Sequence, residues 1–587
     1  MDPNAITYFA ETDARNKKIK FGIKAKDRLK HVYVIGKTGM GKSTLLENMA
    51  IQDIQNGNGI AFIDPHGGTA EKLLDYVPES RIKDVLYFAP FDLEYPVSFN
   101  IMEDIGVDKR HLVVNGLMAT FEKIWVDAWS ARMAYILNNT LLALLEYPSS
   151  TLLGVNRMLS DKVFRNKVVD NVADPAVKSF WVDEFAKYTE RFAAEATPAI
   201  QNKVGQFTAN PLVRNILGQP KSSFDLREIM DQKKIIIVNL SKGRVGEGNA
   251  NLIGSMLITK IYLAAMSRAD KNESELTKLP NFYLYVDEFQ SFANKSFADI
   301  LSEARKYKLN LTIAHQYIEQ MEEEVRDAVF GNVGTMVAFR VGAFDSEVLE
   351  KEFAPTFMAV DMVNLGFAQV YLKLMIDGVS SQPFSATTMA PIAKPDINFK
   401  NAVIESSRSQ FAKPRAAVEK DILDWHDAGT AREARPQPPP LSQMVPQQKL
   451  ERSPQTSSQN QSNSDAEQAK QAFMKVAEEL RQKERQSDRS PGRQPERQEE
   501  RPREQQYKRP ENNQQNNIQK EKDRKNPTSE NILSLKSALA SVISKPRQDG
   551  QKLEPPKPKE NPRPTPVSTT TSQTKEVPED VLRDLLK

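Results

Sequence analysis

The sequence predicts an α/β fold: a core built on a parallel sheet, interrupted by an all-helical insertion and followed by a long disordered tail. Three observations carry this reading. Short β-prone runs at 32–35, 59–63, 282–286 and 309–314 each end in a glycine-rich or polar turn, the pattern of strands buried on both faces. Residues 108–225 are poor in glycine and carry apolar residues at helical spacing. From Asn401 to Lys587 lie 20 of the 35 prolines but only 2 of the 27 phenylalanines, too few apolar groups to offset the ordering entropy of a folded chain.

The first strand is Val32-Tyr33-Val34-Ile35. It leads into Gly36-Lys37-Thr38-Gly39-Met40-Gly41-Lys42-Ser43-Thr44, which matches G-x-x-x-x-G-K-[ST], and then into an amphipathic helix through Leu45, Leu46, Met49 and Ala50. Strand, loop and helix stand in the order that a phosphate-binding loop requires. The glycines let successive backbone N–H groups curl around phosphate oxygens, and the helix N-terminus adds a positive dipole end. Lys42 is expected at the β- and γ-phosphates of ATP, Ser43 on Mg²⁺ and Thr44 at the α-phosphate.

A second strand, Gly59–Ile63, ends in Asp64-Pro65-His66-Gly67-Gly68. Asp64 is counted among the nucleotide-binding residues, where it helps to organise the site or contacts bound water; the alternative is that it simply terminates the strand. The third, Phe282–Val286, ends in Asp287-Glu288, a Walker B pattern. Asp287 is expected to hold Mg²⁺ and Glu288 to act as general base on the attacking water. The fourth, Leu309–Ala314, ends in His315-Gln316, where the neutral Gln316 amide suits a sensor of the γ-phosphate. Phosphoryl transfer also needs a cation at the developing charge. Arg305, expected on a helix after the Walker B, and Arg340, ending the β-prone run Thr335–Arg340, are the candidates. Each is read as a finger on a neighbouring subunit or as a surface salt bridge, with Arg305 slightly preferred. Lys242 and Arg244, in a loop after a strand, suit contact with phosphates or a solvated basic turn.

Within the insertion, Leu112, Leu117, Phe121, Ile124 and Trp125 form one helical stripe and Ile136, Leu137, Leu141, Leu144 and Leu145 a second, which Pro148 stops. The expected divisions are 1–107 (first part of the core), 108–225 (all-α insertion), 226–400 (second part of the core), 401–429 (a transition of one or two helices) and 430–587 (tail). Within the tail, 466–486, 529–544 and 578–586 keep helical periodicity.

Composition excludes some chemistry. With no cysteine there is no disulfide framework, thiolate zinc site or iron–sulfur cluster. The net charge of +3, from 80 Lys+Arg against 77 Asp+Glu, averages over unlike segments and does not bear on nucleic acid. No run is read as long enough to span a bilayer and no signal peptide is read at Met1-Asp2-Pro3-Asn4, so the expected location is cytoplasmic, with any membrane contact indirect and at the inner face.

Taken together, residues 20–395 resemble the HerA/FtsK-type P-loop ATPases, and most closely the TraG/TraD-type coupling ATPases of type IV secretion. The residues behind the resemblance are the loop at 36–44, Asp64-Pro65-His66-Gly67, Asn239-Leu240-Ser241-Lys242-Gly243-Arg244, Asp287-Glu288-Phe289-Gln290, Glu303-Ala304-Arg305-Lys306-Tyr307 and Ala314-His315-Gln316. The resemblance implies a RecA-like core, a hexameric ring with DNA in its pore, an insertion facing DNA or the relaxosome, and secretion-channel or relaxosome proteins as partners of the tail. Two features depart from the family pattern: no N-terminal membrane helices are read, and His66 stands where coupling proteins often have lysine. A soluble HerA-like repair helicase and a nucleotide-gated recruitment platform remain the alternative readings.

Overall fold

The computed structural model describes residues 2–13, 17–189, 191 and 196–427. The periodic segments expected at 466–486, 529–544 and 578–586 lie outside the described residues. One large sheet dominates. Its strands are β1 (Ile6–Glu11), β2 (Lys20–Lys24), β3 (Val32–Ile35), β4 (Gly59–Asp64), β5 (Val85–Phe88), β6 (Ile235–Asn239), β7 (Phe282–Val286), β8 (Leu309–His315), β9 (Thr335–Ala338), β10 (Gln369–Lys373) and, beyond a small ribbon of β11 (Met375–Ile376) and β12 (Val379–Ser380), β13 (Phe384–Thr388). The strand order is β2-β1-β13-β10-β9-β3-β8-β7-β4-β6-β5. From β9 to β5 every pairing is parallel, whereas β10, β13, β1 and β2 extend the sheet in antiparallel fashion. This antiparallel extension has no counterpart in the sequence reading.

Alternation along each strand divides the core between the two faces of the sheet. Val32, Val34, Phe62, Ile237 and Tyr285 point to one face, covered by α1 (Lys42–Gln55) and α2 (Gly68–Leu73). Tyr33, Ile35, Ile63, Val238 and Val286 point to the other, where the helical segment packs. Between β5 and β6 the described residues form helices, among them α3 (Arg110–Ile124) and α4 (Ala131–Glu146). Ser130 caps α4, its hydroxyl accepting the Met133 N–H at 3.2 Å, and Pro148 follows two residues after its last turn. The apolar stripe of α3 is core: the Phe121 and Trp125 rings stack at 4.4 Å, and Trp125 continues to Phe207 at 5.9 Å.

The long helix Glu247–Met266 corrects one expectation. The stretch Glu247–Asp270 is 24 residues and holds an 18-residue window with a mean hydropathy of 1.3, enough by length and composition to cross a membrane, and 72% of that window is buried. Asn251, Ser255, Thr259 and Lys260 interrupt the apolar run and hide it from inspection of the sequence. Here the helix is a core element. The Ser255 hydroxyl donates to the Phe292 carbonyl at 3.1 Å, Lys260 donates to the Glu103 carbonyl at 3.1 Å, and α3 lies so close that a Cβ on Gly116 would stand 2.5 Å from Thr259 Cγ2. The chain then runs through the helices Lys400–Phe411 and Arg415–Asp427, the first held to β5 by the Tyr87 N–H donating to Ser407 Oγ at 2.9 Å.

Candidate functional site

The loop from Gly36 to Gly41 leaves the carboxyl end of β3 and turns into α1, at the sheet edge where α/β folds bind ligands. Two glycines are required by geometry. A Cβ on Gly36 would lie 2.5 Å from Phe339 Cβ, and Gly41 sits at φ 115°, a left-handed conformation that costs other residues energy. Thr38 and Gly39 are exposed at the tip, Lys37 and Thr44 are half-buried, and the Met40 side chain anchors the loop below. Lys42, only 5% exposed, folds back to donate to the Gly36 carbonyl at 2.6 Å and the Lys37 carbonyl at 3.2 Å. Burial pulls its ammonium below the usual lysine range, although Glu288 and Asp287 pull it back up. A buried cation with only carbonyl partners, in the first turn of α1, fits an anion.

The acids arrive on neighbouring strands. Ser43 Oγ donates to Asp287 Oδ2 at 2.8 Å, so the hydroxyl and carboxylate expected on Mg²⁺ already touch. Asp287 is held above the usual carboxylate range by burial, with the Ser43 bond opposing and the charges of Asp64 and Glu288 adding to it. This cluster of hard oxygen donors with excess negative charge suits a divalent cation such as Mg²⁺. Glu288 sits at φ 47° and ψ 49°, a strained backbone for a non-glycine residue, and its Oε2 accepts from Gln290 Nε2.

Asp64 is placed differently from a nucleotide ligand. It is 1% exposed, and both oxygens are taken by its own turn: His66 N–H donates to Oδ1 at 2.8 Å and Ala70 N–H to Oδ2 at 2.9 Å. It organises the turn into α2. Gln316 does reach the loop, its Nε2 donating to Thr38 Oγ1. The preceding His315 is buried, bonded through Nδ1 to the Tyr33 hydroxyl at 3.1 Å, and burial lowers its pKa to about 3.

The two arginines lie at opposite ends of the strands. The Arg340 carbonyl accepts the Lys37 N–H at 2.8 Å, which places this exposed residue beside the loop. Arg305, exposed on the 3₁₀ turn Ala304–Tyr307, precedes β8, whereas Gln316 follows it. Seven strand residues at about 3.3 Å each separate those two ends. Arg305 therefore cannot serve the loop of its own chain. Lys242 and Arg244 are engaged within the chain: Lys242 donates to Ser291 Oγ at 2.9 Å, and the Arg244 guanidinium lies 3.4 Å from the centre of the Phe91 ring.

Two supports of the site went unread in the sequence. Arg28, 1% exposed, makes a bidentate pair with Asp53 on α1 (both contacts 2.9 Å) and lies 3.6 Å from the centre of the Tyr283 ring on β7. The second is Lys123 on α3, which donates to the Gln290 carbonyl at 2.5 Å and to that of Ala293. A lone arginine or lysine in a helical or turn context carries no local signal of such a partner.

Comparison with known proteins adds the family. The family model for Type IV secretory system Conjugative DNA transfer matches residues 6–329, more than half of the chain. No match was found among curated proteins. Among solved structures, the unbound monoclinic form of the bacterial conjugative coupling protein TrwBdeltaN70 is 13% identical, with 66% of this chain and 95% of that chain covered at a TM-score of 0.47. The plasmid coupling protein TrwB in complex with ADP and Mg²⁺ is 14% identical, with 68% and 98% covered at 0.47. VirB4 of Thermoanaerobacter pseudethanolicus is 13% identical, with 66% and 97% covered at 0.43. The extent of the family match, over the segment that holds both the phosphate loop and the Asp287-Glu288 pair, makes this chain a member of the type IV secretory conjugative DNA transfer family.

Proposed function

We propose that this chain hydrolyses ATP with Mg²⁺ at the subunit interfaces of a homo-hexameric ring and uses the cycle to move DNA towards a type IV secretion channel. The observation that carries the reading is the meeting of Lys42, Ser43, Asp287 and Glu288 at one edge of the parallel sheet, with Ser43 bonded to Asp287 at 2.8 Å. In this scheme Lys42 exchanges its loop carbonyls for the β- and γ-phosphate oxygens. The N–H groups from Thr38 to Thr44 wrap the phosphates, those of Gly36 and Lys37 being held by the His315 and Arg340 carbonyls. Ser43 and Asp287 hold Mg²⁺, which when bound neutralises charge on the phosphate oxygens. Glu288 takes the proton of the attacking water, and Gln316 releases Thr38 to orient that water. Arg340 supports the charge from within the subunit, and Arg305 acts on the neighbour.

Residues 108–225 form the substrate-facing insertion, 1–107 and 226–400 the motor, and 401–429 the link to 430–587, which meets relaxosome or channel proteins. DNA contact is sequence-tolerant, because a motor must pass over every sequence. The ring works on the cytoplasmic side, at the inner face of the membrane.

The test is an ATPase assay on wild type and Glu288→Gln, with and without DNA. DNA is expected to raise wild-type turnover. The substitution is expected to cut turnover by about 100-fold or more while nucleotide binding persists. Turnover indifferent to both DNA and Glu288 would overturn the reading.

A further inference from the structure

We propose that Lys123 is a positioning residue for Glu288: the last turns of α3 grip the loop after β7, so that the placement of the helical insertion sets the direction of the Glu288 carboxylate. The inference rests on the reading of Glu288 as the general base.

The grip is made by three residues of α3 on four residues of the loop. The Lys123 ammonium donates to the backbone carbonyls of Gln290, at 2.5 Å, and Ala293. Thr120 Oγ1 accepts from Asn294 Nδ2 at 3.2 Å. Glu122 pairs with Lys295 at 3.3 Å. From the clamped Gln290 the path to the chemistry is one side chain long, since its Nε2 donates to Glu288 Oε2 at 2.5 Å. Only Gln290 stands between an ammonium on the insertion and the carboxylate at the catalytic edge.

Two further observations favour positioning over plain packing. Lys123 is half-buried, and its hydrogen bonds run to carbonyls rather than to a carboxylate. An apolar side chain would fill the space without desolvating a charge. Burial shows in its pKa, lowered to about 8, with the attraction of Glu322 partly opposing and the nearby Lys242 adding to the fall. Glu288 also holds a left-handed backbone at φ 47°, a conformation that persists only where its surroundings over-determine it. The clamp on Gln290, Ala293, Asn294 and Lys295 supplies that constraint. A displacement of α3, the first helix of the insertion, therefore reaches Glu288 directly.

The experiment compares wild type, Lys123→Met, Lys123→Arg and Gln290→Ala in the full chain. It measures ATP turnover and amide hydrogen exchange across 289–295. Lys123→Met is expected to lower kcat by about 10-fold or more with KM within about 2-fold, and Lys123→Arg to restore most of it. Gln290→Ala, which leaves α3 intact, should reproduce the kcat loss and guards against misfolding of the first variant. Placed on Glu288→Gln, Lys123→Met should add less than about 2-fold, because both act through one carboxylate. Exchange at 289–295 should rise in Lys123→Met, and much less in Lys123→Arg. Equal losses in the wild-type and Glu288→Gln backgrounds, or a kcat indifferent to both Lys123 and Gln290, would overturn the proposal. Should Glu288→Gln turn over like wild type, the general-base reading fails by itself. Exchange then judges the clamp separately, and unchanged exchange at 289–295 in Lys123→Met refutes it.

Discussion

Removing the Arg28 guanidinium tests how firmly the phosphate-loop helix is tied to the strand that bears the acids. Arg28 and Asp53 are 1% and 0% exposed, and both guanidinium–carboxylate contacts are 2.9 Å. The Tyr285 hydroxyl joins both, accepting from Arg28 at 2.7 Å and donating to Asp53 at 2.5 Å. Burial pulls the Arg28 pKa down, yet the charge of Asp53 and the neighbouring tyrosines hold it above the usual arginine value. Arg28→Met leaves the Asp53 carboxylate buried, with the Tyr285 hydroxyl and the Asn58 amide, at 2.9 Å, as its partners. Breaking a buried pair from one side costs about 3–5 kcal/mol, and those two bonds put this case near the lower end, about 3 kcal/mol. Loss of the contact with the Tyr283 ring adds about 1 kcal/mol, for a total of about 4 kcal/mol. The double change Arg28→Met with Asp53→Leu removes both charges and should recover most of that, because a buried pair and an apolar replacement are often close in stability. Urea denaturation followed by circular dichroism reads both variants. A loss under about 1 kcal/mol in the single variant, or a double variant less stable than the single, refutes the strut.

Two further outcomes follow from the same geometry. His31 is buried with Nε2 at 3.2 Å from the Leu301 carbonyl and Nδ1 accepting the Leu311 N–H at 3.1 Å, and burial lowers its pKa to about 4; that of His315 falls to about 3. Unfolded histidines protonate near 6.5, so below that pH the unfolded chain binds more protons and stability falls as pH falls, by up to about 1.4 kcal/mol per pH unit for each histidine. Their combined contribution between pH 7 and pH 5 is about 4 kcal/mol, and urea midpoints that stay level or rise over that range contradict it. For Arg305, a trans role predicts that Arg305→Ala subunits mixed with Lys42→Ala subunits regain activity where an intact loop meets an intact arginine, whereas no recovery at any mixing ratio counts against it.

The parallel half of the fold was legible because its signals are local. Each of β3, β4, β7 and β8 is an apolar run closed by residues that its chemistry demands, and the phosphate loop falls between a strand and a helix in the required order. The antiparallel half was not, because its strands announce themselves only through distant partners. β1, at Ile6–Glu11, pairs with β13 near residue 388, and β10 alternates buried with half-exposed residues instead of running apolar. The same limit separated the site residues. Lys42, Ser43 and Asp287 follow from motif positions. The commitment of Asp64 to its own turn, and the placement of Arg305 at the far end of β8, depend on strand direction and hydrogen bonding that spacing does not encode.

The helix Glu247–Met266 shows why the missing information matters for mechanism as well as for fold. By composition it resembles a membrane span, yet it is buried against α3 on one side and the loop after β7 on another. A Cβ on Gly254 would meet the Phe292 ring at 2.3 Å, Ser255 bonds the Phe292 carbonyl, and two turns of α3 hold the adjacent residues through Lys123 and Thr120. Glycines and small polar residues in an otherwise apolar helix therefore mark close approach of a neighbour, and here that neighbour is Phe292, on the segment leading out of Glu288. Interiors packed to this density transmit displacement instead of absorbing it. The motor proposed above would have to link what residues 108–225 touch to when ATP is hydrolysed, which needs such a stiff contact between the two, and here the contact falls on the residues that follow the proposed base.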